Sequence, residues 1–277
     1  MSIKALYLDF FRFLDQGSEE GKWKAYRNIY LNPHKGFFDA HWASFEGFDL
    51  TQIAERVEKI KKEDYGHLHS LILEEDPIAL AKGTVEKCRS LVSLNPEPDI
   101  YLFVGFFSAD GKTLEVQGRP AIALGLERFR DFKDLPLLLA HEYCHCAERI
   151  LLKGVHSGEE NTLLTAIIRE GLAVFFTEAA YPQTPLYRHL FITPERLQWC
   201  EENREAILDL AGGDLTSEKL VSVLFGSGDP EAGLPPRIGY FLAREMVGQS
   251  LTRQGRKEVA EVFPGFEKIF ESILDNR

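Results

Sequence analysis

The chain has 277 residues, of which 44% are hydrophobic and 27% charged. That balance excludes a disordered or fibrous chain, and a chain this long buries enough surface to fold without a disulfide or a structural metal. Its 32 Lys and Arg stand against 43 Asp and Glu, and a net charge of −11 with no basic cluster to offset it excludes a nucleic-acid partner.

The amino terminus carries Asp9, Arg12 and Asp15 inside its apolar part and lacks a small-residue cleavage site, so no signal peptide is expected. Residues 1–98 read as a helical amino-terminal region packed on the same unit as the rest. Ile53, Val57 and Ile60 recur at helical spacing, and a helix is expected from Ile78 to Leu94, after Asp76-Pro77. Phe37, Phe38, Trp42, Phe45 and Phe48 read as packed core rather than as an aromatic ligand box. His67 and His69 diverge on a helix and do not share a metal, and His34, His41 and His189 have no ligand-spaced partners.

Asn95-Pro96-Glu97-Pro98 marks a subdomain boundary, after which residues 99–107 are β-rich. Asp110-Gly111 signals a hairpin that lets Thr113 to Val116 pair back on them, and Pro120 to Leu126 is a further extended segment. The longest apolar stretch, Tyr101 to Phe107, falls far short of the ~18 residues a membrane span needs, so no membrane partner is expected. Helices are then expected over Leu135 to Lys153, Thr162 to Ala180, Pro194 to Ala211, Ser217 to Phe225, Arg237 to Leu251 and Phe266 to Leu274, with a loop at residues 227–236. The four cysteines, Cys88, Cys144, Cys146 and Cys200, are too few for a disulfide framework and read as reduced thiols of a cytoplasmic protein.

One string carries chemistry: His141-Glu142-Tyr143-Cys144-His145, an HExxH. Asp134 is a candidate N-cap for its helix, Pro136 lies in the first turn and Gly154 ends it. On a helix the two histidines stand one above the other and converge on one metal, while Glu142, rotated by about 100°, sits beside the metal rather than on it. A catalytic zinc needs a third ligand and an open position. Glu148 lies one turn too far along the axis and reads as a carboxylate near Arg149. Glu170 on the next helix is the better candidate, with Gly171 and Ala173 allowing that helix a close approach. Cys144 turns away from the histidine face and reads as a small buried thiol.

HEYCH followed 25 residues later by EGLA resembles the gluzincin group of zinc metallopeptidases, and more narrowly a family of predicted bacterial zinc-dependent proteases of otherwise unassigned function. The resemblance covers Asp99 to Ala180 and extends weakly to Arg237-Ile238-Gly239-Tyr240. It implies one zinc ion held by His141, His145 and Glu170, with Glu142 as general base. The Gly-x-Met-Glu-Asn string of gluzincin aminopeptidases is absent, and only Glu127 lies near that region. Tyr240 is the favoured oxyanion donor, with Arg237 and His156 as rivals. Pro120 to Leu126 is the expected sheet edge for a substrate strand, and Thr177 and Glu178 are candidates to orient a ligand histidine.

The expected fold is therefore α+β and predominantly α, with residues 99–277 a zincin-like catalytic region: a small sheet, an active-site helix and a helical carboxy-terminal half. The expected activity is zinc-dependent hydrolysis of a peptide or protein substrate. A catalytically silent zinc- or peptide-binding protein and a zinc hydrolase of a non-peptide amide are the alternatives.

Overall fold

A computed structural model describes residues 1–16, 21–45, 47–151 and 161–253. In chain order the elements are β1 (Ile3–Ala5), α1 (Tyr7–Gln16), α2 (Lys22–Tyr26), α3 (Lys35–Trp42), α4 (Leu50–Lys59), α5 (Gly66–Glu74), α6 (Pro77–Leu91), β2 (Asp99–Phe103), β3 (Gly111–Val116), β4 (Arg119–Gly125) and α7 (Leu135–Leu151). There follow α8 (Leu163–Ala180), α9 (Leu186–His189), α10 (Pro194–Glu202), α11 (Arg204–Gly213), α12 (Glu218–Val221) and α13 (Gly239–Arg253). The protein is α+β and predominantly α. No helix among the described residues is long and apolar enough to cross a membrane. The helix expected over Phe266 to Leu274 lies outside the described residues.

Two of the amino-terminal helices start where an aspartate offers an acceptor to the first free amides. Asp49 accepts from the Thr51 amide at 2.8 Å at the head of α4. Asp76 accepts from Ile78 and Ala79 at 2.9 and 3.2 Å at the head of α6, where Pro77 has no amide to leave unpaired. The helix expected from Pro194 to Ala211 is instead two, broken at Asn203, whose backbone amide and side-chain amide both donate to the Trp199 carbonyl, at 3.0 and 2.8 Å. The one expected from Ser217 to Phe225 is α-helical only to Val221 and continues as a π-helical segment, Ser222–Ser227, kinked at the non-helical Gly226.

The chain forms two compact units. The first comprises Met1–Glu86 and Leu94–Cys146. Its sheet has the order β1-β2-β4-β3, with β1, β2 and β4 parallel and β3 antiparallel to β4. Thr113 to Val116 therefore pair with β4, not with β2. The hairpin turn is Gln117-Gly118, with φ of 51° and 76°, a conformation matched to the twist of two antiparallel strands. Asp110-Gly111 instead opens β3. In consequence β4 is an inner strand and β3 an outer one, so Pro120 to Leu126 is not a free edge.

Residues two apart share a face of the sheet. Tyr101 and Phe103 face α3, where Phe37 stacks on Tyr101 with ring centroids 4.5 Å apart. Gly111 and Thr113 face the opposite way, onto α7. Around this sheet the aromatic residues form a packed core: Phe10, fully buried, meets Tyr30 and Tyr65 at 5.4 and 4.7 Å. The Tyr30 hydroxyl donates to the Val104 carbonyl and accepts from the Val104 amide, both at 2.9 Å, fixing the chain where it leaves β2. Phe37, Phe38 and Trp42 are buried in this core, whereas Phe45 and Phe48 line an open cleft.

The second unit comprises Lys87–Ser93 and the chain from Ala147 onward, and rests on the pair α8 and α13. Leu163, Ile167 and Val174 pack with Phe241, Leu242 and Ala243. Gly171 makes the close approach possible, since a Cβ there would lie 2.5 Å from Val247 and 2.6 Å from the Ala243 carbonyl. The small residue of the Glu170-Gly171 pair thus serves the contact with α13.

Candidate metal centre

The site grows from α7, a helix buried along most of its length. Leu135, Leu137, Leu139, Ala140, Tyr143 and Ala147 are all almost wholly inaccessible. Its approach is a 3-10 turn, Phe132–Asp134, capped by Asp131, which accepts from the Lys133 amide at 2.9 Å. Asp134, expected as the cap, is the last residue of that turn and directly precedes α7, and Pro136 lies in the first turn of α7 as expected. Lys153 and Gly154, at the expected end of the helix, lie outside the described residues.

Four residues of α-helix advance about 6 Å and return nearly to the same side. His141 and His145, 3% and 7% exposed, therefore meet: their ring centroids are 4.7 Å apart, the planes are at 84°, and the two Nε2 atoms stand 3.1 Å apart. Two nitrogen ligands on one tetrahedral zinc, each at 2.0–2.1 Å, stand roughly 3.3 Å apart. The observed spacing fits that demand without rearrangement of the helix. Among the described residues one group of metal-type side chains is found: His141, His145 and Glu170, whose ligand atoms all lie within 4.8 Å of one another. Two imidazole nitrogens and a carboxylate oxygen suit a zinc-like divalent ion.

Glu142, 8% exposed, follows His141 and turns to the sheet. Its Oε2 accepts from the Thr113 hydroxyl at 2.9 Å, and the same hydroxyl lies 3.1 Å from the Glu142 carbonyl oxygen. The hydroxyl clamps the carboxylate against its own backbone. Gly111 lets β3 pass this close, because a Cβ there would lie 2.9 Å from Leu138 and 3.0 Å from Glu142. Neither residue carries a local sequence signal; only the register of β3 brings them to α7.

Other expectations change in detail. Glu148 is buried and pairs with Arg169, Nε to Oε1 at 2.8 Å. Thr177 accepts from or donates to His189 Nδ1 at 2.9 Å, and Glu178 pairs with Arg244 at 2.6 Å. The histidine that Thr177 orients is thus His189, fully within the second unit, where burial lowers the imidazole pKa. Tyr240 lies in the first turn of α13 with its ring edge-on to Phe191 and Phe225 at 5.9 and 5.5 Å, and Arg237, two residues before the helix, has φ of 65°. His156 lies outside the described residues. His34 pairs with Asp9 at 2.7 Å, His67 with the Arg130 carbonyl at 2.9 Å and His41 with Ser108 at 2.8 Å. Cys144 and Cys146 are buried, with the Cys146 sulfur 4.0 Å from the Thr113 hydroxyl.

No curated protein and no solved structure matches the chain. A match is found with the family described as predicted Zn-dependent protease (DUF2268), over residues 106–269. That span is more than half of the chain and includes β3, α7 and α8, and with them His141, Glu142, His145 and Glu170. The chain belongs to this predicted Zn-dependent protease family.

Proposed function

We propose that the protein is a gluzincin-type zinc peptidase in which His141, His145 and Glu170 hold one zinc ion and Glu142 is the general base. The observation that carries this reading is the grouping of those three ligand atoms within 4.8 Å, on a helix where Glu142 is the next residue after His141. Two imidazoles and one carboxylate leave a tetrahedral ion one open corner, as a catalytic site requires. A bound zinc supplies Lewis acidity to the scissile carbonyl and lowers the pKa of water.

The protein's own groups do the rest. The Glu142 carboxylate takes a proton from the attacking water and hands it to the leaving amine, so the residue ends each cycle ionised as it began. The Thr113 hydroxyl keeps that carboxylate in one place throughout. β3, an outer strand of the sheet, offers main-chain amides and carbonyls along which an extended peptide can align. Tyr240 is the proposed donor to the developing oxyanion. The four cysteines, all buried and none in a disulfide, support a reducing, cytoplasmic setting.

A panel of quenched fluorescent peptides, offered to the wild type and to Glu142→Gln, tests the reading. Cleavage by the wild type and a loss of roughly a hundredfold or more in the variant is expected. Binding without cleavage by the wild type points to a silent zinc-binding protein instead.

A further inference from the structure

The register of β3 on β4 decides which of its main-chain groups face outward. The two-residue turn Gln117-Gly118 is closed by the pair Val116 and Arg119. In such a hairpin the closing pair exchanges both main-chain bonds, and bonded and non-bonded pairs then alternate along the ladder. Leu114 with Ala121 and Lys112 with Ala123 are therefore bonded pairs, and the Gly125 amide donates to the Asp110 carbonyl at 3.0 Å in the same series. Glu115 falls opposite Pro120, which has no amide to give. The amides and carbonyls of Gly111, Thr113 and Glu115 are thus turned away from β4, and no strand among the described residues pairs on that side.

The side chains of the same three positions share one face of the sheet. Gly111 and Thr113 look onto α7 and Glu142, so Glu115 stands on the Glu142 side as well, where it is exposed. Leu114 and Val116, on the other face, are buried.

The hairpin from Gly111 to Gly125 carries three charged side chains, Lys112, Glu115 and Arg119. Both cations belong to the other face, Lys112 by alternation and Arg119 because it stands opposite Val116. Lys112 lies over the Phe45 ring, with Nζ 4.2 Å from its centre, and Arg119 pairs with Asp99 at 3.1 Å. Neither neutralises Glu115. Among the described residues no hydrogen bond or ion pair reaches the Glu115 carboxylate.

We infer that Glu115 selects peptide substrates carrying Lys or Arg at one position, two residues from one that flanks the cleaved bond. The inference rests on the peptidase reading above. In an extended substrate aligned antiparallel on this edge, the residue opposite Thr113 lies beside Glu142 and flanks the bond that Glu142 acts on. The residue opposite Glu115 is two places further, roughly 7 Å along the strand. Residues directly opposite one another set their Cβ atoms about 4.5–5.5 Å apart on the same face. A substrate ammonium or guanidinium there meets the Glu115 carboxylate, whereas a substrate carboxylate meets a like charge, so the position both attracts and rejects.

The test starts from the peptide of the fluorescent panel that the full-length wild type cleaves best. Lys, Gln or Glu is placed in turn at each of the three positions on either side of the cleaved bond, and kcat/KM is measured for the wild type, Glu115→Gln and Glu115→Lys. At the third position on one side, the wild type is expected to favour Lys over Gln roughly two- to fivefold, and Gln over Glu by a similar factor. Glu115→Gln should lose both differences there, and Glu115→Lys should reverse them. A Lys preference of equal size at every position is what the net charge of −11 alone produces. That result, no preference at all, or a preference unchanged in Glu115→Gln overturns the inference and leaves the peptidase reading in place. A wild type that cleaves no peptide overturns that reading, and the inference with it.

Discussion

The Thr113 hydroxyl on β3 donates to Oε2 of Glu142 on α7 across 2.9 Å, joining an outer strand to the residue that follows the first histidine of the HExxH. A hydrogen bond to a charged group contributes about 1.5–3 kcal/mol. Thr113→Val keeps the shape and removes the donor, so kcat is expected to fall roughly ten- to a hundredfold with KM and zinc content little changed. Thr113→Ser should restore most of the rate. Full activity in the valine variant would remove the positioning role.

Gly111 makes the same strand-to-helix contact possible. An alanine there sets its methyl group 2.9 Å from Leu138 and 3.0 Å from Glu142, inside contact distance of both. Gly111→Ala is expected to destabilise the fold by about 1–3 kcal/mol through this overpacking. It should also slow hydrolysis by displacing Glu142. Urea denaturation, with activity assayed on the folded fraction, checks both effects.

Thr177 and His189 share a buried hydrogen bond of 2.9 Å. Thr177→Val leaves a buried imidazole nitrogen without that partner, at a cost of about 1–3 kcal/mol. Because the bond serves His189 and not His141 or His145, zinc content should stay at the wild-type level. A parallel loss of zinc would show that Thr177 also supports the metal ligands.

His41 sets a pH dependence. Burial against Phe37 and Phe103, aided by the Lys112 ammonium, lowers its pKa to about 4, against 6.5 for an exposed histidine. The unfolded chain therefore takes up the proton first as pH falls. The contribution of neutral His41 is complete above pH 6.5 and drains away between 6.5 and about 4, to a total of about 3 kcal/mol. Replacing it with Gln should flatten the stability profile between pH 7.5 and pH 5 relative to the wild type. An unchanged slope would mean that His41 does not govern this window.

Signals that act over a few residues were legible in the sequence. The recurrence of Ile53, Val57 and Ile60, Asp76-Pro77 and the spacing of His141 and His145 each express a rule confined to a few helical turns, and α4, α6 and α7 follow them. β1 was not legible, since Ile3–Ala5 is too short to show alternation and is defined only by its register against Ile100. The hairpin was misplaced because Asp110-Gly111 is a stronger local turn signal than Gln117-Gly118, while the pairing depends on β4 lying between its neighbours. Thr113 was invisible as a partner of Glu142 because the two stand 29 residues apart. Glu148 and Arg169, likewise distant in sequence, meet only in the fold.

Zinc content measures the account's central claim most directly. The full chain, stripped and reloaded with zinc, should hold one ion, and Glu142→Gln should match it. His141→Ala should hold none, and Glu170→Ala should bind at least roughly tenfold more weakly. Equal zinc in the wild type and in His141→Ala would contradict the assignment of this centre.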